Sequence, residues 1–564
     1  LDALYLAHSE RDFQNPVWEA SKGRFLITRL SPFRDVERST PHLVLYRDLR
    51  SAMPDAYLDF SFFPQGRDRA TLSGLGLPWL HGVASGRPAA DFDCILVSNA
   101  YVLELVNLIP ALRASGIGAT RLARANGGPL VVLGGSNAFA SASLHEYPRG
   151  DAHGDSVVDA VFFGEGEGWI GRLGPLLADA ALLFGPGRSA ALDRAAEQVE
   201  GLWPTHAPRP VRQARALNLG FPAADQPVLA GTEAGTVRLE TTLGCPGFCS
   251  FCFEGWERKP YRERRLADLA AEARRLKLAT GAHTLELSSF NFNAHSDVSS
   301  QFTALGGPYL RVNAMSQRAD ILAAVPGLAE LEAAAGKRSY TLGVEGLSAR
   351  MRSYYNKELE RTSLDAAVSA ILKGTPRELK FFYILSGFET DADLDEFAGD
   401  LERFEALRRA SGKSPAMLVS AGRLQRLPFT PLAYERLFLD DDAYTSATRR
   451  MRSEAEARGW TFRSPEDLDE YRLGQVLALA PRGCHALLGE LADAGVTYDR
   501  GLSKGAWQTA VRVLTRERML DDAFLGRKGR DYPFPYPFVE PSVSRDYLYR
   551  RFEDAADFRQ SPSC

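Results

Sequence analysis

Cysteine is scarce in this chain. Six occur in 564 residues, and Cys94, Cys484 and Cys564 stand far apart. That count excludes a disulfide framework and makes a reducing cytoplasm the expected compartment. Lysine is sparse too, and Lys+Arg (67) nearly balance Asp+Glu (71), for a net charge of −4. Such a balance offers no electrostatic footprint for nucleic acid or for an anionic membrane. No apolar run reaches bilayer-spanning length, and the first residues do not read as a signal peptide. With 45% hydrophobic and 24% charged residues, the make-up is that of a globular protein. The length implies three or four domains.

The remaining three cysteines sit together, at Cys245, Cys249 and Cys252 in the run Leu243-Gly244-Cys245-Pro246-Gly247-Phe248-Cys249-Ser250-Phe251-Cys252. Three thiolates spaced C-x3-C-x2-C can hold three irons of a four-iron cluster and leave the fourth open to a small molecule. Two plainer arrangements share the spacing. A helical stripe of small buried residues is one, but Pro246 and Gly247 favour a turn. A zinc site is the other; it needs a fourth ligand, and no other Cys or His lies within about twenty residues.

Upstream, Tyr57–Phe63, Cys94–Ser98, Pro129–Asn137 and Asp159–Gly168 read as strands, with a helical stretch around Leu103–Ser115. Strands alternating with helices imply an open parallel sheet, which binds ligands at the carboxyl ends of its strands. The turns at Ser98 and Asn99, at Gly134, Gly135, Ser136 and Asn137, and at Gly164, Glu165 and Gly166 would lie along that edge. None fits G-x-G-x-x-G ahead of a helix, so a dinucleotide is not expected. Plain βα connections would use similar glycines.

Residues 203–235 carry five prolines and read as a linker. Alternation then resumes, with strands at Val237–Thr242, Thr284–Ser289, Leu310–Met315, Tyr340–Glu345, Lys380–Leu385 and Ala416–Ala421. Six such units suggest an open barrel, whose reactive residues sit on loops at the carboxyl ends of strands. The cysteines follow the first of these strands. The expected fold class is therefore α/β: a Rossmann-like domain over 1–202, a linker over 203–235, a partial (β/α)6 barrel over 236–430, and a mainly helical C-terminal domain over 431–564. That last domain would wrap the barrel or cap a substrate.

These residues resemble a known family. Cys245, Cys249, Phe251 and Cys252 after a strand resemble the C-x3-C-x-aromatic-C signature of radical S-adenosylmethionine (SAM) enzymes. Gly343-Val344-Glu345-Gly346 with Arg352–Lys357 resembles that superfamily's fourth-strand region, and Leu385–Thr390 the end of its fifth strand. Leu133–Ser136 and Phe163–Glu167 resemble the cobalamin-binding domain of its cobalamin-dependent branch. Methylthiotransferases carry three further N-terminal cysteines, whereas that region here holds only Cys94. In layout the chain is most similar to the tryptophan 2-C-methyltransferases of thiopeptide antibiotic biosynthesis.

The resemblance implies a [4Fe-4S] cluster on the three cysteines, SAM as methyl donor, and cobalamin, as methylcobalamin, carrying the methyl. It implies an external electron donor and a small-molecule substrate, L-tryptophan methylated at indole C2, with neither nucleic acid nor membrane as partner. The edge turns named above would contact cobalamin, and Glu345 would lie beside SAM. Asp151-Ala152-His153-Gly154 misses the spacing of the D-x-H-x-x-G cobalt ligand, so no histidine is expected on the cobalt. Arg67 and Arg69, after Phe63, would face the lower side of the corrin. An arginine is permanently charged and donates no lone pair; both are also readable as solvated surface charges. In a polar transfer a carboxylate can close the fourth iron. Glu286 is the candidate, with Glu240 and Glu345 as rivals, each also readable as the partner of a barrel arginine. Tyr309 stands as the base for the indole proton, not distinguished by sequence from Tyr340, Tyr354 and Tyr383. A non-methylating rearrangement or cyclisation is the alternative activity, and a corrinoid or redox sensor the alternative class.

Overall fold

The computed structural model describes residues 13–146, 154–219, 235–315, 317–357, 359–440 and 442–561. The Asp151-Ala152-His153 stretch lies outside the described residues. The chain divides into two compact units: 1–234 with 472–524 and 531–542, and 235–471 with 525–530 and 543–564. The stretch 431–564, expected as one capping domain, is shared between the two. No helix among the described residues is long and apolar enough to cross a membrane.

The first unit is built on six strands: β1 (Arg24–Arg29), β2 (Tyr57–Phe62), β3 (Cys94–Ser98), β4 (Leu130–Gly134), β5 (Ala160–Phe162) and β6 (Leu202–Pro204). Their order is β2-β1-β3-β4-β5-β6. The first five run parallel and β6 runs antiparallel. One face alternates Phe25 and Ile27, Leu58 and Phe60, Cys94 and Leu96, Leu130 and Val132, all in one buried core. Helices Pro41–Ala52 and Trp169–Ala181 add Tyr46, Leu49, Leu173 and Leu177 to that core. Both faces are covered, which is why these strands read as nearly continuous apolar runs.

The strand β1 lies outside the expected strands, and it decides the topology. It sits between β2 and β3, so the chain winds outward in both directions from it. The order 2-1-3-4-5 places a ligand crevice at the carboxyl ends beside β1. Its apolar run is only Phe25-Leu26-Ile27, closed by arginines at both ends. Yet Arg29 is only 2% exposed, and its guanidinium donates to Ser39 Oγ (3.1 Å).

The expected linker is only partly one. Leu202–Pro204 completes the sheet, and β7 (Val211–Arg212) pairs in parallel with Val539–Glu540. Trp203 is fully buried, with ring centroids 4.9 Å from His145, 5.6 Å from Tyr536 and 4.9 Å from Phe538.

The second unit holds β8 (Thr236–Glu240), a short antiparallel pair β9 (Thr242–Leu243) and β10 (Arg262–Glu263), then β11 (Thr284–Ser288), β12 (Arg311–Ala314), β13 (Ser339–Glu345), β14 (Glu378–Leu385), β15 (Ala416–Arg423) and β16 (Thr461–Arg463). Parallel pairing gives β12-β11-β8 and β13-β14-β15-β16. Among the described residues one parallel bridge, Gln317 to Leu342, joins the two sets. The six expected barrel strands are therefore present, and β16 extends the arc.

Replacing Trp203 with Ala is expected to destabilise the first unit by about 3–5 kcal/mol. Urea unfolding followed by circular dichroism should show a lower midpoint; a linker residue there would leave it unchanged.

Candidate active site

The cysteine loop runs from β9 to the helix Phe253–Glu257, with little regular structure of its own. Gly244 opens it at φ +73, where an added Cβ would stand 2.1 Å from the Arg258 carbonyl oxygen, so only glycine fits. A loop without a ladder must find partners for its backbone elsewhere. Lys259 Nζ donates to Cys245 O (2.7 Å) and Gly247 O (2.9 Å). Asn356 Nδ2 donates to Phe248 O (2.9 Å), and Trp256 Nε1 to Cys249 O (2.8 Å). The Leu432 amide donates to Ser250 O (3.2 Å), and the Ser250 amide to Tyr355 O (2.9 Å). Asn356 accepts in turn at Oδ1 from the Ser561 amide (3.0 Å) and from Gln560.

With its backbone anchored, the loop carries its three sulfurs beside glycines. A Cβ built on Gly247 would lie 3.5 Å from Cys245 Sγ and 3.9 Å from Cys249 Sγ, and one on Gly255 would lie 3.6 Å from Cys252 Sγ. Among the described residues no group of three or more Cys, His, Asp or Glu is set to hold a single metal ion. A four-iron cube takes one thiolate at each of three irons, so its ligands need not converge on one point. Burial, reinforced by the neighbouring cysteines, pushes the Cys252 thiol strongly up. Burial also raises Cys249, against the opposing charges of Lys357 and Arg318.

Those two cations were not singled out from sequence. Lys357 Nζ lies 3.5 Å from Glu345 Oε1, and the carboxylate together with Cys249 keeps the lysine charged against its burial. Arg318 grips Asp320 through Nε (3.0 Å) and Nη2 (2.9 Å). Glu345 itself has φ +65, and Gly343 clears space for it: a Cβ there would meet Glu345 Oε1 at 2.4 Å. Of the three carboxylates considered for the site, Glu345 is the one that contributes to the field at Cys249. Glu286 is 7% exposed and receives Arg238 Nη2 (3.3 Å), its register neighbour on β8. Glu240 receives Arg264 Nη2 (3.2 Å). Both therefore show the plainer arrangement, a carboxylate paired with a barrel arginine.

Tyr309 is corrected by position. It precedes β12, at the opposite end of the strands from the cysteine loop, and its hydroxyl donates to Ala273 O (2.7 Å). Burial moves it up to about 12, the wrong direction for a base. His295 is structural: Nδ1 accepts from the Asp297 amide (3.0 Å), which leaves Nε2 to donate to Arg264 O (3.0 Å).

In the first unit the anticipated turns do lie together at the carboxyl edge of β3, β4 and β5. Several are tied to one another. Asn137 Nδ2 donates to Asn99 Oδ1 (2.6 Å), and Asn99 Nδ2 to Glu104 (2.8 Å), which also receives Ser31. Gly135, at φ +101, passes so near that a Cβ would be 2.3 Å from Asn99 O. Glu165 is buried and accepts from the Ala216 amide (2.9 Å), so its carboxylate serves the fold. Gly134, Ser136, Gly164 and Gly166 remain partly exposed, while Ser98 is buried.

The expected loop after Phe63 turns helical at Gly66, in Gly66–Gly74. Arg67 is exposed there. Arg69 is not a solvated charge: its guanidinium donates to Pro64 O (2.6 Å) and Thr497 Oγ1 (3.2 Å), lies 3.5 Å from Asp499, and sits 4.8 Å from the Phe63 ring centroid. Nearby, Thr28 and Ser61 face each other in register on β1 and β2. Both hydroxyls are buried and without a hydrogen-bond partner among the described residues. Unmet hydroxyls beside the crevice fit a polar ligand group.

Residues 42–203 match the family model "Radical SAM proteins, N-terminal", and residues 239–401 match the "Radical SAM superfamily". No protein of curated function matches. Among solved structures, the chain is similar to the radical SAM methyltransferase TsrM from Kitasatospora setae with cobalamin and a [4Fe-4S] cluster bound: 15% identity over 73% of this chain and 74% of that one, TM-score 0.47. TsrM with tryptophan substrate and the SAM analogue aza-SAM gives 13% identity over 88% and 99%, TM-score 0.48. The cobalamin-dependent SAM radical enzyme OxsB, with aqua-cobalamin and SAM bound, gives 12% over 95% and 79%, TM-score 0.47.

In the metal-free chain, alkylation of Cys249 and Cys252 at pH 8 should be slower than that of a free cysteine and should rise with pH, since the thiolate is the reactive form. Mass spectrometry of the iodoacetamide-treated peptide reads the rates.

Proposed function

We propose that this chain, whose residues 239–401 are a radical SAM domain, is a cobalamin-dependent C-methyltransferase that moves a methyl from SAM to a carbon of a small molecule. Indole C2 of L-tryptophan, in antibiotic biosynthesis, is the substrate position favoured by the layout. The observation that carries the reading is the cysteine loop that follows β8 and β9, its carbonyls held by Lys259, Trp256 and Asn356. A mostly parallel sheet, whose strand order reverses at β1, and a single cysteine, Cys94, precede it.

When bound, the cluster, SAM and the corrinoid supply an open iron, a methyl group and a cobalt that carries it. The protein's own part is holding and charge. Cys245, Cys249 and Cys252 would hold three irons as thiolates. Lys357 and Arg318 place positive charge beside them, where it favours deprotonated sulfur and an anionic ligand group. Glu345, whose charge acts at Cys249, would meet a ligand at the cluster, with Glu286 as the rival carboxylate. On the first unit, Thr28 and Ser61 offer hydroxyls, and the backbone at Gly134, Ser136, Gly164 and Gly166 lines the edge. Arg69, fixed by Asp499 and Phe63, would stand beside a corrinoid held here and would donate no lone pair to it.

Anaerobic reconstitution should give four irons per chain, as expected of one such cluster, and Cys249→Ala should lose them. With L-tryptophan, cobalamin, a reductant and SAM deuterated in its methyl, the product should carry the intact labelled methyl by mass spectrometry; label-free product would overturn methyl transfer and favour rearrangement.

The Co(II) form should show no nitrogen splitting from a protein histidine by electron paramagnetic resonance. Such splitting would remove Arg69 from the role given to it.

A further inference from the structure

Lys259 lies outside every motif of the chain, yet it makes more contacts to the cysteine loop than any other side chain described above. Its ammonium donates to Cys245 O at 2.7 Å and to Gly247 O at 2.9 Å, and stands 3.7 Å from the centroid of the Phe248 ring. Three of the four residues from Cys245 to Phe248 thus hold one cation. Between the two gripped carbonyls lies the Gly247 amide, which donates to Cys245 Sγ (3.4 Å). The lysine therefore fixes the short segment that aims an N–H at a sulfur.

We infer that Lys259 is a positioning residue that raises the reduction potential of the cluster held by Cys245, Cys249 and Cys252. The inference rests on the cluster reading proposed above. Cluster potentials follow net charge and hydrogen bonds to sulfur. Reduction adds one electron, taken from a low-potential donor, and neither makes nor breaks a bond to the protein. The reduced cluster is the more negative by one charge, so a fixed cation and a fixed N–H···S bond both stabilise it more than the oxidised form. Removing Lys259 withdraws the charge and frees the segment, and both effects act in the same direction.

The test uses the full chain, reconstituted with iron and sulfide under anaerobic conditions. Iron is counted first, and the cluster is then titrated with titanium(III) citrate under electron paramagnetic resonance. Lys259→Met should keep its iron and show a more negative midpoint than the wild type. Lys259→Arg, which retains a charged donor, should restore most of the shift. Loss of iron in Lys259→Met but not in Lys259→Arg, with both folded by circular dichroism, would also support the clamp. A Lys259→Met midpoint equal to wild type at full iron content would overturn the inference, as would loss of iron in both folded variants. A wild-type chain that takes up no cluster would instead overturn the reading on which the inference rests, and the iron count separates the two failures.

Discussion

The site depends on one backbone constraint. A loop that presents three thiols cannot also be a helix or a strand, so its carbonyls have no ladder to join. Each carbonyl left unmet in a part-buried site would cost about 1–3 kcal/mol. Lys259, Trp256, Asn356 and the Leu432 amide meet them one by one. None of these donors belongs to the motif. Asn356 shows how far the dependence reaches. It sits at φ +48, a conformation asparagine tolerates better than most residues, and it joins Phe248 to Ser561. The cysteine loop is thus shaped by residues distributed over much of the second unit.

The two units answer the same geometric problem differently. In both, parallel strands deliver their following turns to one edge. In the first unit much of that edge is absorbed by its own polar network, Asn99 with Asn137 and Glu104, and Glu165 with the backbone at Ala216. On the β1 side the Thr28 and Ser61 hydroxyls have no hydrogen-bond partner among the described residues, and Arg69 is held beside Phe63. In the second unit the edge of β8 is given over to sulfur, and charge gathers around it as Lys357 with Glu345 and Arg318 with Asp320. Each of these cations brings a carboxylate, so the site concentrates polar groups without a large net charge.

How much was legible follows from the range of each interaction. The barrel strands were readable nearly to the residue, because their apolar runs and the helices between them are local patterns. The strand β1 was not, since arginines bound its short apolar run and its placement depends on pairing with β2 and β3. Trp203 looked like part of a linker because of its prolines; its burial comes from His145, Tyr536 and Phe538, far away in sequence. Glu286, on β11, and Tyr309, just before β12, are readable from the sequence only as residue types. Their partners, Arg238 and the Ala273 carbonyl, depend on register and on strand end, which residue type does not carry.

The sequence by itself determined the cysteine spacing, the alternation of strands and helices, and the glycines that turns at the sheet edges require. These are chemical identity and short-range periodicity, which no later folding step can change. Only the tertiary structure decided which carboxylate stands near sulfur, that Arg69 is fixed rather than solvated, and that Lys259 grips the cysteine loop. Those outcomes are distances between groups remote in the chain. They arise only when two faces pack and a buried charge or carbonyl takes the partner within reach.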